Sequence, residues 1–210
     1  VRSDAERWDR RWSDLPATDL VDTRVPAAFS FEPSRLFVRE LLDGLGRTGS
    51  AAPTTGSPRA LDLACGTGYE TAWAAELGFE VDAFDVSSVA IDRTRHRVER
   101  LGLTDRVRAR VVDLDDGLPD AARGPYHLVL CQRFRMPALY PALLEVTAPG
   151  GLLAVTVLSR VGLRGEPGPF HAPPGELVGA YAPLPEAEVR CSVEADGEAS
   201  IVVQWTSPRT

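Results

Sequence analysis

The sequence is short of the features that settle a protein's class early. Its three cysteines, Cys65, Cys131 and Cys191, are an odd number and widely spaced, with neither a CxxC pair nor zinc-ligand spacing. That argues against a disulfide framework and against a metal site, and leaves small buried thiols in a reducing compartment. No run of 18 apolar residues occurs, so no transmembrane helix is expected. Val1 to Leu15 are densely charged and lack the apolar core of a secretory signal, and the expected location is cytoplasmic. Positive charge is also scarce. The 23 Lys and Arg against 30 Asp and Glu give a net charge of −7, the wrong sign for a generic nucleic-acid or anionic-membrane surface. A small or neutral molecule is the better partner, and nothing in the sequence specifies an oligomeric state.

What is present fits one α/β domain: 210 residues, of which 44% are hydrophobic. The segment DAERWDRRWSDL predicts a short helix with Trp8 and Trp12 on one face. A second helix is expected in SRLFVRELLDGLG, and Arg47 to Pro58, rich in Gly, Pro, Ser and Thr, reads as a linker. Residues 1–58 are thus an N-terminal helical arm and linker, and 59–210 a separate domain. From Arg59 onward strand-like runs at 60–64, 80–84, 107–112, 126–131 and 151–158 alternate with helical stretches at 69–77, 88–101 and 138–148. Such alternation predicts right-handed crossovers and a doubly wound, mostly parallel sheet with helices on both faces. The 159–174 segment reads as a long loop and GELVGAY as one short helix. AEVRCSV and ASIVVQW, around an Asp-Gly turn, read as a C-terminal β-hairpin, bringing the sheet to seven strands.

In such a sheet the ligand lies beyond the carboxyl ends of the strands, and the first strand-to-helix turn forms its floor. Cys65-Gly66-Thr67-Gly68 occupies that turn. A nucleoside triphosphate loop requires GxxxxGK[ST], and no Gly-Lys pair exists. A dinucleotide fingerprint requires a third glycine where Thr71 stands, and Glu70 would repel a pyrophosphate. NAD and FAD are the weaker choice. Asp62, before the loop, suits a cationic group. Asp85, ending the second strand, stands where an acid accepts from ribose hydroxyls, and Asp113, ending the third, can accept from an adenine amino group beside Leu114. Acceptors for a cation, a ribose and an adenine describe S-adenosylmethionine.

LDLACGTG, VDAFDVS, VVDLDD and APGGLLAV together resemble the class I S-adenosylmethionine-dependent methyltransferases, from about Arg59 to Leu158. The resemblance implies a Rossmann-like fold and a cofactor site that takes in Asp62, Ala64, Cys65, Gly66, Gly68, Asp85, Val86, Asp113, Leu114 and Cys131. Within that family, YHLVLCQRF, PFHAPPGELVGAY and the early WDRRW are similar to the tellurite-resistance branch. The Pro-rich 164–174 loop departs from that branch, so its substrate does not transfer with the fold.

The acceptor side is expected at CQRFR, where the fourth strand ends. Arg133 can bind or steer an anionic group and Phe134 can form a wall. His171, in the long loop, is a candidate general base or oxyanion contact, and with Arg133 makes up the expected catalytic pair. His96 reads as solvated, His127 as a satisfied strand residue, and no metal is expected. QRFR replaces the amide-binding Asn-Pro-Pro-Tyr pattern of amino-group methylases. The expected function is methyl transfer to a small molecule through sulfur, selenium, tellurium or oxygen. The alternative is a non-catalytic sensor of S-adenosylmethionine or its demethylated product.

Overall fold

The central strands of the computed structural model, at 59–63, 80–85 and 126–132, are buried on both faces, as the near-continuous apolar runs of a parallel sheet require. The structure describes residues 2–14, 38–41, 43 and 57–206. The expected second helix is helical at 38–41 and 43, and the remainder of it, like linker residues 47–56, lies outside the described residues.

In chain order the elements are α1 (Arg2–Ser13), β1 (Arg59–Leu63), α2 (Tyr69–Glu76), β2 (Glu80–Asp85), α3 (Ser88–Arg100), β3 (Val107–Val111), β4 (Tyr126–Gln132), α4 (Tyr140–Glu145), β5 (Thr147–Leu158), α5 (Glu176–Tyr181), β6 (Ala187–Ala195) and β7 (Glu198–Trp205). They build one seven-stranded sheet in the order β3-β2-β1-β4-β5-β7-β6. The first five strands pair in parallel, and β7 runs antiparallel to both β5 and β6. The chain winds outward from β1 through β2 to β3, then returns to start β4 on the other side of β1. This reversal is the switch point where such sheets hold ligands.

Alternation along each strand divides the core. Leu61, Leu63, Val129, Cys131, Leu153 and Val155 face α4 and α5 with Leu143, Leu144, Leu177 and Tyr181. Ala60, Leu128, Leu130, Leu152 and Ala154 face α2, with Ala74 and Ala75, and also Val38. Ile91 of α3 packs with Cys65, Ala83 and Ala109 at the β2–β3 end. Helices therefore cover both faces, as expected.

Two boundaries differ from the sequence reading. The helix expected at 138–148 is a 3-10 turn at Pro137–Leu139 followed by α4, and β5 begins at Thr147. The hydroxyl of Thr147 donates to the Leu143 carbonyl and caps the helix, while the Val146 carbonyl accepts from the Tyr126 N–H and starts the strand. The hairpin turn is the one its Asp-Gly pair predicts: Asp196 and Gly197 both take positive φ, 51° and 85°. The long loop is tied down by the Ser159–Ala172 bridge and by Glu194, which accepts from the Ser159 hydroxyl (2.6 Å) and the Gly175 N–H (2.8 Å).

Candidate cofactor and acceptor site

After β1 the chain turns sharply into α2. Ala64, Gly66 and Gly68 all take left-handed φ, 53°, 54° and 77°, and at Ala64, which carries a Cβ, this conformation costs about 1 kcal/mol or more. Neighbouring bonds hold it. The Cys65 N–H donates to the Phe84 carbonyl (3.0 Å), the Gly68 N–H closes onto the Cys65 carbonyl (3.0 Å), and the Gly66 N–H donates to Asp85 Oδ2 (2.9 Å). A side chain would be crowded at both glycines, more so at Gly68. A Cβ at Gly66 would lie 3.2 Å from Trp12 Cζ2, and one at Gly68 would lie 2.7 Å from Thr94 Oγ1.

Two buried acids flank this loop. Asp62, on β1, accepts from the hydroxyl of fully buried Thr71 at 2.5 Å. The residue in the third-glycine position thus orients an acid instead of permitting the close helix packing of a dinucleotide site. Asp85 ends β2 and accepts the Ser87 N–H on Oδ1 and the Gly66 N–H on Oδ2, both at 2.9 Å. Burial pushes the Asp85 carboxyl above the ordinary range, the two N–H bonds oppose that, and the nearby Asp9 charge adds to it.

Asp9 belongs to α1, which lies against the start of α3 beside the glycine loop. Its carboxylate accepts from the Ser87 and Ser88 hydroxyls and from the Val89 N–H (3.3 Å). Ser87 is the N-cap of α3, accepting the Ala90 N–H at 3.1 Å. Asp9 therefore adds a negative charge at the positive end of that helix dipole, and the Ser87 bond holds its pKa low. Trp8 and Trp12 stack with centroids 6.0 Å apart, and the Arg7 guanidinium lies 5.1 Å from the ring of Phe170 in the loop after β5. One short helix thus touches the loop after β1, the start of α3 and the loop after β5. Trp12 Nε1 is buried with no hydrogen-bond partner among the described residues.

At the end of β4, Arg133 has φ 56° and its guanidinium pairs with Glu198 at the start of β7 (Nε to Oε1, 2.6 Å). Arg135 forks onto Glu176 at the start of α5, and the Tyr140 hydroxyl donates to the same carboxylate at 2.8 Å. Burial alone would raise the Glu176 pKa, but the Arg135 and Tyr140 bonds outweigh it and lower it. Tyr140 and Tyr181 lie ring to ring at 5.8 Å, and burial pushes both hydroxyls up.

The sequence-predicted residues fall into two groups. Asp62, Ala64, Cys65, Gly66 and Gly68 form or adjoin one loop, and Asp85 is bonded to it, with half-buried Val86 next in the chain. Asp113 follows β3 and accepts the Asp115 N–H at 3.0 Å in a tight turn, and Leu114 is buried in the core beside Leu61 and Phe84. Cys131 is buried and donates to the Phe134 carbonyl (3.6 Å), while the Phe134 ring packs on the core cluster that holds Tyr140 and Tyr181. His171, half-buried, accepts the Gly168 N–H on Nδ1 (2.9 Å). Burial raises the Cys65 thiol pKa well above normal, with the Asp62 and Asp85 charges adding to it, and burial beside Asp62 pushes Cys131 up to about 12. Both thiols stay protonated and are poor nucleophiles. Sequence reasoning missed Asp9, Thr71, Thr94, Arg97 and Glu176 as partners of these residues. Among them only Thr71 left a signal, as the departure from the third glycine.

The methyltransferase domain family matches residues 60–151. The ubiquinone biosynthesis O-methyltransferase of a Caulobacter strain is 31% identical over 74% of this chain and 59% of its own length. The curated relatives matched are covered over 28% to 65% of their length. Among solved structures, TehB from Haemophilus influenzae superposes with a TM-score of 0.58 at 17% identity, covering 80% of this chain and 62% of that one. Geranyl diphosphate C-methyltransferase from Streptomyces coelicolor A3(2), in complex with S-adenosyl-L-homocysteine, reaches a TM-score of 0.65 at 15% identity, covering 96% and 98%. The domain match over residues 60–151 and the superposition on solved methyltransferases make this chain similar to the class I S-adenosylmethionine-dependent methyltransferases.

Proposed function

We propose that this protein transfers a methyl group from S-adenosylmethionine to a small-molecule acceptor whose nucleophile is sulfur, selenium, tellurium or oxygen. The observation that carries the reading is the left-handed loop at Gly66 and Gly68, set between two buried acids at the ends of adjacent strands. The residues fit the cofactor's chemistry. Asp62 offers a carboxylate to the ammonium, Asp85 offers acceptor capacity to ribose hydroxyls, and Asp113 stands at the adenine end. Trp12 of α1 lies beside Gly66, and its role in this reading is to cover the methionine end and keep water from it.

When bound, S-adenosylmethionine supplies an electrophilic methyl on a sulfonium. The chain's task is to align the incoming nucleophile with that methyl and keep water away. Cys65 and Cys131 are buried and protonated, so the nucleophile belongs to the acceptor. Arg133 meets an anionic acceptor by exchanging its Glu198 partner for the acceptor's charge, with Phe134 as a wall, and His171 takes a proton where the acceptor carries one. The net charge of −7 supports a partner that is neither nucleic acid nor membrane. No described helix is long and apolar enough to cross a membrane, and a cytoplasmic location accords with that.

Calorimetric titration with S-adenosylmethionine and S-adenosylhomocysteine tests the cofactor, with Asp85→Ala as control. Binding of neither ligand overturns the reading. Incubation with a panel of thiols, selenite, tellurite and phenols tests the acceptor, and demethylated cofactor must appear only with a true substrate.

A further inference from the structure

Behind the glycine loop lies α3, whose inner face carries a side chain that is unusual for a buried position. Arg97 is fully buried. Its Nε donates to the Thr67 carbonyl at 2.9 Å, and its guanidinium lies 3.6 Å from the centroid of the Tyr69 ring. One turn earlier, Thr94 is also fully buried and its hydroxyl donates to the Gly66 carbonyl at 3.0 Å. Residues three apart on a helix share a face, and this pair grips two consecutive carbonyls of the loop. Desolvating a guanidinium is costly unless its donors are used, and the Thr67 carbonyl and the Tyr69 ring both engage it, which ties α3 to the loop.

A trans peptide is planar, with its C=O and N–H pointing in opposite directions. With the Gly66 carbonyl turned toward Thr94, the N–H of Thr67 in the same peptide unit is turned away from α3. We infer that Thr94 and Arg97 are positioning residues for the cofactor: they hold the loop so that the Thr67 N–H faces the carboxylate of the methionine end. This rests on the S-adenosylmethionine reading above and assigns the anionic end of that ligand, for which no side chain has yet been named. A loop free to rotate the 66–67 peptide would present a carbonyl there and repel the carboxylate. The Thr94 side chain also fills the space a Cβ at Gly68 would need, so the same residue sets the loop's shape and its orientation.

The test compares Thr94→Val, which keeps shape and removes the donor, with Thr94→Ser, which restores it, and Arg97→Met with Arg97→Lys. The readouts are affinity for S-adenosylhomocysteine, affinity for 5′-methylthioadenosine, which lacks the carboxylate and ammonium, and KM and kcat for S-adenosylmethionine. The expected result for Thr94→Val is about a tenfold loss for S-adenosylhomocysteine, the size of one hydrogen bond. Methylthioadenosine affinity stays unchanged, KM for S-adenosylmethionine rises in step with the S-adenosylhomocysteine loss, and Thr94→Ser recovers both. Equal loss for both ligands, or no loss for either, overturns the inference while leaving the cofactor reading intact. If Thr94→Val does not fold, the Arg97→Lys and Arg97→Met pair carries the same comparison, Lys retaining more S-adenosylhomocysteine affinity than Met. A wild-type chain that binds neither ligand overturns the cofactor reading instead.

Discussion

The edge of the Trp12 indole lies directly over Gly66: a methyl group added at that glycine would meet Trp12 Cζ2 at 3.2 Å and Cη2 at 3.3 Å. The backbone at Gly66 is left-handed as well, so Gly66→Ala is strained twice over. The expected outcome is a stability loss of about 1–2 kcal/mol in urea unfolding and at least a tenfold loss of S-adenosylhomocysteine affinity by calorimetry. Trp12→Ala removes the crowding but also the cover. It should weaken cofactor binding without rescuing the affinity of Gly66→Ala.

On the proposed reading, in which Asp85 accepts from the ribose, cofactor affinity depends on pH. Burial raises its folded pKa above 3.8, so its proton returns as pH falls through that raised value. A protonated carboxyl loses acceptor capacity toward ribose hydroxyls, and affinity for S-adenosylhomocysteine should fall with acid in that window. Stability runs the other way. A carboxyl with a raised folded pKa binds more protons folded than unfolded, so stability declines as pH rises from 3.8 through the folded value. Calorimetric titrations at a series of pH values check the first sign, and Asp85→Asn should flatten the curve.

Docking of α1 depends on Asp9, whose pKa lies below 3.8, chiefly through its bond to Ser87. A depressed folded pKa means that the contribution is complete above 3.8 and disappears as pH falls through the lower, folded value. Tryptophan fluorescence of a Trp73→Phe, Trp205→Phe background, which leaves Trp8 and Trp12 as the reporters, should therefore hold constant down to about pH 4 and change below it. Asp9→Ala should show the undocked signal at neutral pH, together with weaker cofactor binding.

The Arg135–Glu176–Tyr140 cluster ties the end of β4 to α4 and α5. The Arg135 side chain is 23% exposed and that of Glu176 14%. Arg135→Ala leaves the Glu176 carboxylate with Tyr140 alone, and the expected loss is about 1–3 kcal/mol, below that of a fully buried pair because water reaches part of the site. Tyr140→Phe should cost less. Urea midpoints at constant slope check both.

If Arg133 and His171 serve the acceptor as proposed, Arg133→Ala and His171→Ala should lower turnover while leaving S-adenosylhomocysteine affinity within about twofold. Glu198→Ala, which frees Arg133 from its ion pair, should increase affinity for an anionic acceptor. A cofactor defect in either Arg133→Ala or His171→Ala would move that residue out of the acceptor site.

Local patterns made most of the architecture legible. The runs at ALDLA, EVDAF and YHLVLC are apolar because both faces of a parallel strand are buried, and that signature needs no tertiary information. Asp196-Gly197 announced its hairpin because two consecutive positive φ angles favour those residues. The helix expected at 138–148 ran too long because its last residues, Thr147 and Ala148, are claimed by pairing of Thr147 with Tyr126, a partner distant in sequence.

The candidate site was legible only in part. Asp62, Gly66, Gly68 and Asp85 stand at strand ends, and strand ends are readable from periodicity. Asp9, Thr94 and Arg97 are not, since a polar segment such as RTRHRVER gives no sign that one of its arginines is fully buried against a loop about thirty residues earlier. Arg133 reads as an available cation, but the fold places Glu198 against it across the sheet. The sequence by itself determined the strand and helix periods, the glycine turn and the acids at the strand ends, because these depend on near neighbours and on backbone sterics. Which side chains met was decided by the tertiary structure alone: α1 brought Trp12 onto Gly66, and α3 brought Thr94 and Arg97 beneath the loop. Contacts between residues far apart in the chain arise only once the layers pack, and no local pattern encodes them.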